Sequence, residues 1–546
     1  MAGMRVALAL LKIRDMRRVM AALTAFAITE HGSWLAVMVL AYRRGGVGET
    51  GVVLFAMLAP SGLLAPLAAT RLARLGGRRA LVGGFLAQAT FMALTGLALE
   101  LGANALITYA AALTASISLV LTRPATASLL PSMARTVQEL TAANATVGLV
   151  ATLGLFIGPA LAGAVLATWS ISGVFFSVAI LMTAAAILTA GIAERPTDLD
   201  EAEDLVETMP NDPEEPAVSA DSSSTRIVIA LLSLVFFTVG VLDVAFVASA
   251  VELIGRSEAT AGALSAAFGF GALAGAALSL GLVGRRRLTP AIALAGTTCG
   301  MSVVALSFGE SLGVAIALLA LAGAGRALAD VAGRTMLQGL SSDDVLARVF
   351  GILEGISMFA IAFGALAFAA LTEVFGLRAA LVTSGTLLPA GIVVMLAPLM
   401  KIDRQRPTVD ASLVSILRAT PVFGPLPAYA VEQVLANLGH QEFVANEQIL
   451  EIGEISHTIF FVMGGTATVM QPNDVDIELS TGDYFGEIAL LFDRPRTATV
   501  VAGPSGASTL TIDRETYRQA IGTNRRSHHR VSHTARSRLE RNGLAP

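Results

Sequence analysis

The chain has 546 residues, 54% hydrophobic and 14% charged, with a formal net charge of −4. A soluble domain carries about 25% charged residues, so most of this chain does not face water, and its mean hydropathy of +0.71 agrees. The weak charge argues against a nucleic-acid partner, and Cys299 as the sole cysteine excludes an intrachain disulfide and a cysteine-rich metal site.

A helix needs about 20 mainly apolar residues to cross a bilayer, and about twelve stretches qualify. Six lie near 17–41, 49–72, 79–99, 104–125, 142–168 and 171–193, and six near 226–252, 258–282, 288–308, 311–337, 346–372 and 377–400. Arg14, Arg17 and Arg18 precede the first stretch, which is long enough to span and is followed by more, so no cleavable signal is expected. Between the two sets, 194–225 is rich in Asp and Glu and holds a serine run at Ser222–Ser224, the composition of a solvated linker.

Arginine and lysine mark cytoplasmic loops. Alternate loops carry Arg14, Arg17, Arg18; Arg71, Arg74, Arg78, Arg79; Arg135; Arg285, Arg286, Arg287; Arg348; and Lys401, Arg404, Arg406. Arg43 and Arg44 run against the pattern, which otherwise puts both termini in the cytoplasm. An internal echo recurs at an offset of about 205–210 residues: basic runs follow the second and eighth spans, and Gly158 answers Gly364. Repeated halves with a site near the midplane between them are a transporter signature.

The segment Ala69–Arg79, with Arg74, Gly76, Arg78 and Arg79, resembles the loop between the second and third helices of the major facilitator superfamily, with Ala73 where that loop has an acid. The runs Arg123-Pro124, Leu130-Pro131, Glu139-Leu140, Ala143-Asn144 and Gly158–Gly163, with Arg334, Gln338 and Arg348–Gly351, resemble the family's drug and siderophore proton antiporters. The resemblance covers about residues 15–400. It implies a twelve-helix fold in two six-helix halves and a small-molecule cargo.

Ionisable side chains at membrane depth are expensive and face a cavity or a partner. Glu30 and His31 lie mid-way along the first span, Asp243 in the seventh, Arg326 and Asp330 one turn apart in the tenth, and Glu354 in the eleventh. Glu30 and Asp243 are the leading proton or cargo sites, with a structural hydrogen bond to another helix as the rival reading of Glu30; His31 is a candidate beside them that reads first as a packing residue, and Arg326 with Asp330 reads first as a structural pair. Gly269, Gly271 and Gly275 lie inside an apolar helix with no strand before them and read as close helix packing rather than a nucleotide loop. No P-loop, zinc-protease pattern or Ser-His-Asp set is visible, and nothing points to an enzyme.

From about residue 411 the texture changes. Leu413, Ile416, Leu417, Phe423 and Leu426 fit short amphipathic helices. Short β-rich runs follow at 458–463, 466–470, 475–479, 498–501 and 509–512, and helix resumes from about Arg514. Closely spaced short strands predict a small β-roll. The run Gly482–Leu491 with Arg494–Val500 resembles the phosphate-binding cassette of cyclic nucleotide-binding domains. That resemblance covers roughly 411–540 and implies a ligand, cAMP or cGMP, held by Phe485, Gly486, Glu487, Ile488, Ala489, Arg496, Thr497 and Ala498. Arg496 would meet the cyclic phosphate with a bidentate, charge-assisted pair. Glu487 would accept from the ribose 2′-OH, Thr497 would add a hydroxyl, and a terminal helix through Val531, Ala535 and Leu539 would cover the base.

These features predict an all-α membrane part joined to a C-terminal α+β domain. The expected organisation is 1–193 (first half), 194–225 (acidic linker), 226–400 (second half), 401–410 (short linker) and 411–546 (nucleotide-binding domain). The expected function is cyclic nucleotide-regulated, proton-coupled export in a bacterial inner membrane, with the lipid bilayer as surroundings and no metal. The rivals are a non-transporting membrane receptor or scaffold and a carrier of amphiphiles.

Overall fold

The computed structural model describes residues 14–72, 77–133, 137–192, 223–282, 287–338, 340, 343–405, 439–470, 476–492 and 494–514. The chain divides into two compact units, Met1–Asp403 and Arg404–Pro546. Residues 194–222 of the acidic linker, the segment 406–438 and the terminal helix expected through Val531 lie outside the described residues, and the linker's last three positions, Ser223–Thr225, already belong to a helix.

The first unit is helical: α1 (Arg14–Leu72), α2 (Gly77–Glu100), α3 (Ala105–Met133), α4 (Val137–Thr168), α5 (Ile171–Ala190), α6 (Ser223–Ala248), α7 (Thr260–Ser279), α8 (Thr289–Leu306), α9 (Leu312–Gln338), α10 (Asp343–Phe375) and α11 (Leu377–Gln405). Among the described residues, ten helices are long and apolar enough to cross a membrane. Large apolar side chains stand outward, among them Leu106 at 77%, Val394 at 78% and Ile180 at 69% exposure. Water would penalise such a surface, whereas lipid does not.

The sequence predicts a loop between the first two spans, but the backbone stays helical through all 59 residues of α1 except at Gly45 and Gly46. A straight helix of that length would run about 89 Å, roughly three times a ~30 Å hydrocarbon core. The break therefore does the work of a loop. Gly46 has φ +66°, a left-handed conformation that glycine adopts without penalty.

In hydrocarbon every polar group needs an internal partner. Many hydroxyls of the spans bond to their own helix: Thr24 donates to the Met20 carbonyl, Thr95 to Phe91, Thr189 to Ala185 and Thr238 to Leu234. Helix ends are closed by side chains from elsewhere. Arg18 donates to the Gly191 carbonyl, and Arg78 donates to the carbonyls of Ala190 at 2.9 Å and Ile192 at 3.3 Å, beyond the C-terminus of α5. Asp403, buried near the end of α11, accepts from the backbone N–H groups of Leu288 at 3.2 Å and Thr289 at 2.8 Å and so caps α8.

Arg43 and Arg44, the two residues that run against the charge alternation, both have acidic partners, Glu258 at 3.2 Å and Glu49 at 3.7 Å. Their neighbour Tyr42 donates to Glu252 at 2.8 Å, and the Gly48 N–H donates to Glu373 at 3.2 Å.

Glycines set how closely the helices approach. A Cβ at Gly158 would overlap the Ile28 carbonyl of α1, and one at Gly364 would overlap the Phe237 carbonyl of α6. These are the two glycines that the internal echo pairs. The Gly269–Gly275 stretch likewise packs on the backbones of α4 and α9.

The second unit is an antiparallel sheet of β1 (Gly439–Phe443), β2 (Gln448–Leu450), β3 (Ile459–Met470), β4 (Ile477–Leu479), β5 (Tyr484–Phe485) and β6 (Thr499–Ile512), with a short helix α12 (Glu487–Phe492). The order is β1-β6-β3-β4, with β2 also on β6 and β5 on β3. The runs predicted at 458–463 and 466–470 are one strand, with its register shifting around Gly464 and Gly465. The runs at 498–501 and 509–512 are the two ends of β6, whose pairing with β3 steps from Ala507 to Ala502. The strands β1, β2 and β5 were not predicted.

Overpacking a tight site costs about 1–3 kcal/mol. Gly364→Ala is expected to destabilise the membrane unit by about that much, whereas Gly355→Ala, where nothing lies within 4 Å, leaves it unchanged or firmer. Thermal unfolding of the full chain in detergent compares the two, and equal midpoints would refute the close-approach assignment.

Candidate functional site

The cassette is built around one buried cation. Arg496 follows the loop after α12 and is 3% exposed. Its backbone N–H donates to the Glu454 carbonyl and its carbonyl accepts from Gly453, both at 2.9 Å, which fixes it against the turn before β3. Its guanidinium donates to the Gly486 carbonyl at 2.7 Å, to Ser456 Oγ at 2.9 Å and to the Thr458 carbonyl at 2.9 Å.

The Arg496 guanidinium lies 6.0 Å from the centroid of the Phe460 ring. Phe460 in turn stacks on Phe485 at 5.2 Å with an interplanar angle of 4°. Burial pulls the arginine below its ordinary pKa, while Glu454 and Glu487 oppose that shift. A cation desolvated in this way attracts an anion more strongly than one in water.

Two observations define what fits there. Arg496 Nε is buried and has no hydrogen-bond acceptor among the described residues. Gly486 has φ +85°, and a Cβ there would meet Arg496 Nη1 at 2.5 Å and the Thr458 carbonyl at 2.9 Å. The chain must pass close to the guanidinium at this point, and only glycine lets it. Glu487, 1% exposed, opens α12, with Ile488 and Ala489 buried behind it. Thr497 and Ala498 are half-buried beside Arg496. Arg514, where the chain leaves the sheet, donates to the Leu490 carbonyl of α12 at 3.2 Å. The sequence missed Ser456, Thr458 and Phe460 as supports of Arg496, because nothing local marks residues some forty positions away.

A second polar cluster lies in the helical unit. The Asp243 carboxylate of α6 faces the Trp34 indole of α1 and the Arg326 guanidinium of α9. Arg326 lies 3.6 Å from Asp330, and Asp330 accepts from Arg334 Nε at 2.9 Å. Arg334 reaches Glu354 of α10 at 3.0 Å. Both guanidiniums flank the Phe236 ring, at 5.7 and 5.8 Å.

The expected Arg326–Asp330 pair is thus one link in a longer chain. Trp34 was not singled out in the sequence, although it stands one turn beyond Glu30 on α1. Glu30 and His31 are half-buried on that helix. Of the loop residues, Arg78 caps α5 and Arg79 is exposed, while Arg74 and Gly76 lie outside the described residues.

Comparison with known proteins gives two family matches. Residues 228–470 match the Major Facilitator Superfamily and residues 440–524 match the cyclic nucleotide-binding domain. They overlap over 440–470, where the structure is β-sheet and not helix. Among curated relatives, the chain is 28% identical over 107 residues to a cGMP-dependent protein kinase of Toxoplasma gondii, covering 20% of this chain and 11% of the kinase. It is 27% identical over 108 residues to a cAMP-dependent protein kinase regulatory subunit of Hypocrea atroviridis, covering 20% and 23%. It is 36% identical over 87 residues to a cyclic nucleotide-gated potassium channel of Rhizobium etli, covering 16% and 24%. The chain therefore spans less than a quarter of the length of each of these relatives. A solved structure described as Sp-2Cl-cAMPS bound to PKAR CBD2 is 27% identical, with 25% of this chain and 95% of that chain covered and a TM-score of 0.23. The chain thus carries a Major Facilitator Superfamily domain and, C-terminal to it, a cyclic nucleotide-binding domain.

Proposed function

We propose that the membrane unit is a secondary active transporter, a proton-coupled exporter of a small molecule, whose cycle is biased by a cyclic nucleotide bound at the Arg496 cassette. The observation that carries the regulatory half is the buried Arg496 Nε–H without an acceptor, beside a glycine that keeps the approach open. When bound, the nucleotide brings a singly charged cyclic phosphate and a ribose hydroxyl. Arg496 holds the phosphate, the backbone N–H groups at Gly486, Ile488 and Ala489 line it, Glu487 accepts from the ribose, and Thr497 adds a hydroxyl. Phe485 and Ala498 form apolar walls. The names of the kinases and of the channel among the relatives support cAMP or cGMP as the ligand class.

The transport half rests on the polar cluster. Three carboxyl groups, on Asp243, Asp330 and Glu354, face two guanidiniums, on Arg326 and Arg334, which leaves one carboxyl to carry a proton. Gain or loss of that proton changes which helix arrangement is favoured. The break at Gly45–Gly46, which divides α1 into two spans, supports a twelve-helix count. The matched contacts of Gly158 on α1 and Gly364 on α6 support two six-helix halves. The arginine distribution supports cytoplasmic termini in a bacterial inner membrane. A nucleotide shifts the cycle only as far as its affinity differs between the two transporter states.

Calorimetry on the full chain with cAMP and with cGMP tests the cassette. Arg496→Ala is expected to weaken binding roughly 10- to 150-fold, the equivalent of about 1.5–3 kcal/mol for hydrogen bonds to a charge. Glu487→Gln is expected to weaken it about tenfold. Wild-type protein that binds neither nucleotide would refute the assignment.

Accumulation of fluorescent drug-like dyes in inverted vesicles under a pH gradient tests the coupling. Asp243→Asn is expected to abolish gradient-driven accumulation while leaving nucleotide binding intact. Rates that stay equal with and without nucleotide, despite demonstrated binding, would dismiss regulation. A chain that binds nucleotide and moves no dye would favour the receptor reading.

A further inference from the structure

The turn between β2 and β3, residues 451–458, lies outside the cassette run, yet it reaches the same cation. It is fastened to Arg496 through the backbone. The Gly453 N–H donates to the Arg496 carbonyl and the Arg496 N–H to the Glu454 carbonyl, both at 2.9 Å. Two residues further on, Ser456 is half-buried, and its Oγ accepts from Arg496 Nη2 at 2.9 Å. The side chain that meets the guanidinium is thus placed by the pairing of the two backbones.

A guanidinium is planar, and its N–H donors point in fixed directions. Nη1 donates to the Gly486 carbonyl at 2.7 Å, and Nη2 donates to the Thr458 carbonyl and to Ser456, both at 2.9 Å. A Cβ on Gly486 would meet both Nη1 and the Thr458 carbonyl, so that carbonyl stands on the Nη1 side of the fork. Ser456 is left with the other edge, which Nη2 shares with Nε. On that edge the Nε–H has no acceptor among the described residues. The two N–H bonds of such an edge are parallel, which is how one anion can take both. Here Ser456 already takes one of them. An oxygen that accepts from Nε therefore stands next to Ser456 Oγ. Two neighbouring oxygens repel unless a hydrogen lies between them. A hydroxyl accepts and donates at once, so with a lone pair on Nη2 Ser456 keeps its own hydrogen to give.

We infer that Ser456 is a phosphate-binding residue of this domain, whose hydroxyl, oriented by Arg496 Nη2, donates to the same anionic oxygen that accepts from the Arg496 Nε–H. In place of the direct bidentate pair expected from the sequence, the fork grips the anion with one prong itself and with the other through a hydroxyl relay. The inference rests on the cassette being a cyclic nucleotide site, and it adds a contact from outside the 482–500 run. It also makes recognition specific to one exocyclic oxygen of the cyclic phosphate.

Calorimetry on the full chain tests it, using cAMP, cGMP and the Sp and Rp phosphorothioates of whichever binds more tightly. Sulfur is a weak hydrogen-bond acceptor. The isomer with sulfur at the gripped oxygen is therefore expected to bind wild type roughly tenfold more weakly than the other isomer, the low end for a hydrogen bond to a charged group. Ser456→Ala is expected to weaken the parent nucleotide roughly tenfold and to shrink the ratio between the isomers several-fold. Ser456→Thr, which keeps a hydroxyl, is expected to preserve both. A merely structural role for Ser456 would weaken both isomers alike, and an unchanged ratio in Ser456→Ala would overturn the inference. Ser456→Ala protein that binds the parent nucleotide as tightly as wild type would overturn it too, and would leave the cassette reading standing. Wild type that binds neither nucleotide would sink the cassette reading and this inference together.

Discussion

A charge taken out of water has to be met by fixed dipoles or by an opposite charge, and both polar centres of this protein are organised by that requirement. In the β unit the buried Arg496 is held by two carbonyls and a serine hydroxyl, and the fold is shaped to deliver them. Gly486 turns left-handed to bring its carbonyl in, and the start of β3 supplies another. In the helical unit no single pair suffices. Carboxylates and guanidiniums alternate from Asp243 to Glu354, so each charge has a neighbour of opposite sign. The first arrangement leaves the Arg496 Nε–H without an acceptor among the described residues. The second has three carboxyl groups for two guanidiniums.

The sequence made the helical unit legible because lipid imposes a crude rule, about twenty apolar residues per crossing. It placed the join between the first two spans, at 42–48, but not its form, a helix interrupted at only two residues, Gly45 and Gly46. In the β unit, the strongest strand signals marked β3, β4 and β6. The strand β1, Gly439–Phe443, went unseen because its side chains are mostly exposed and polar, so no alternation betrays it. Gly464-Gly465 and the 503–506 segment read as breaks, whereas in the sheet they are register shifts within continuing strands.

The candidate sites show the same division. Arg496, Glu487 and Gly486 stand in one short motif and could be named from it. Ser456, Thr458 and Phe460 are brought to Arg496 by the pairing of distant strands, which no local pattern encodes. Likewise the turn from Arg326 to Asp330 and Arg334 is visible as helical spacing, but the links to Asp243, Trp34 and Glu354 depend on how α1 and α10 pack on α6 and α6 on α9. That packing is set by close backbone approach, as at Gly364 against Phe237. It is readable only as an unexplained glycine.

The Asp403 cap has a mechanical consequence. Asp403 is the last residue of the helical unit, and its carboxylate grips the first two N–H groups at the start of α8. A change in the backbone at Asp403 is thus felt by two helices, α11 and α8. The end of α11 and the start of α8 are thereby tied through one side chain.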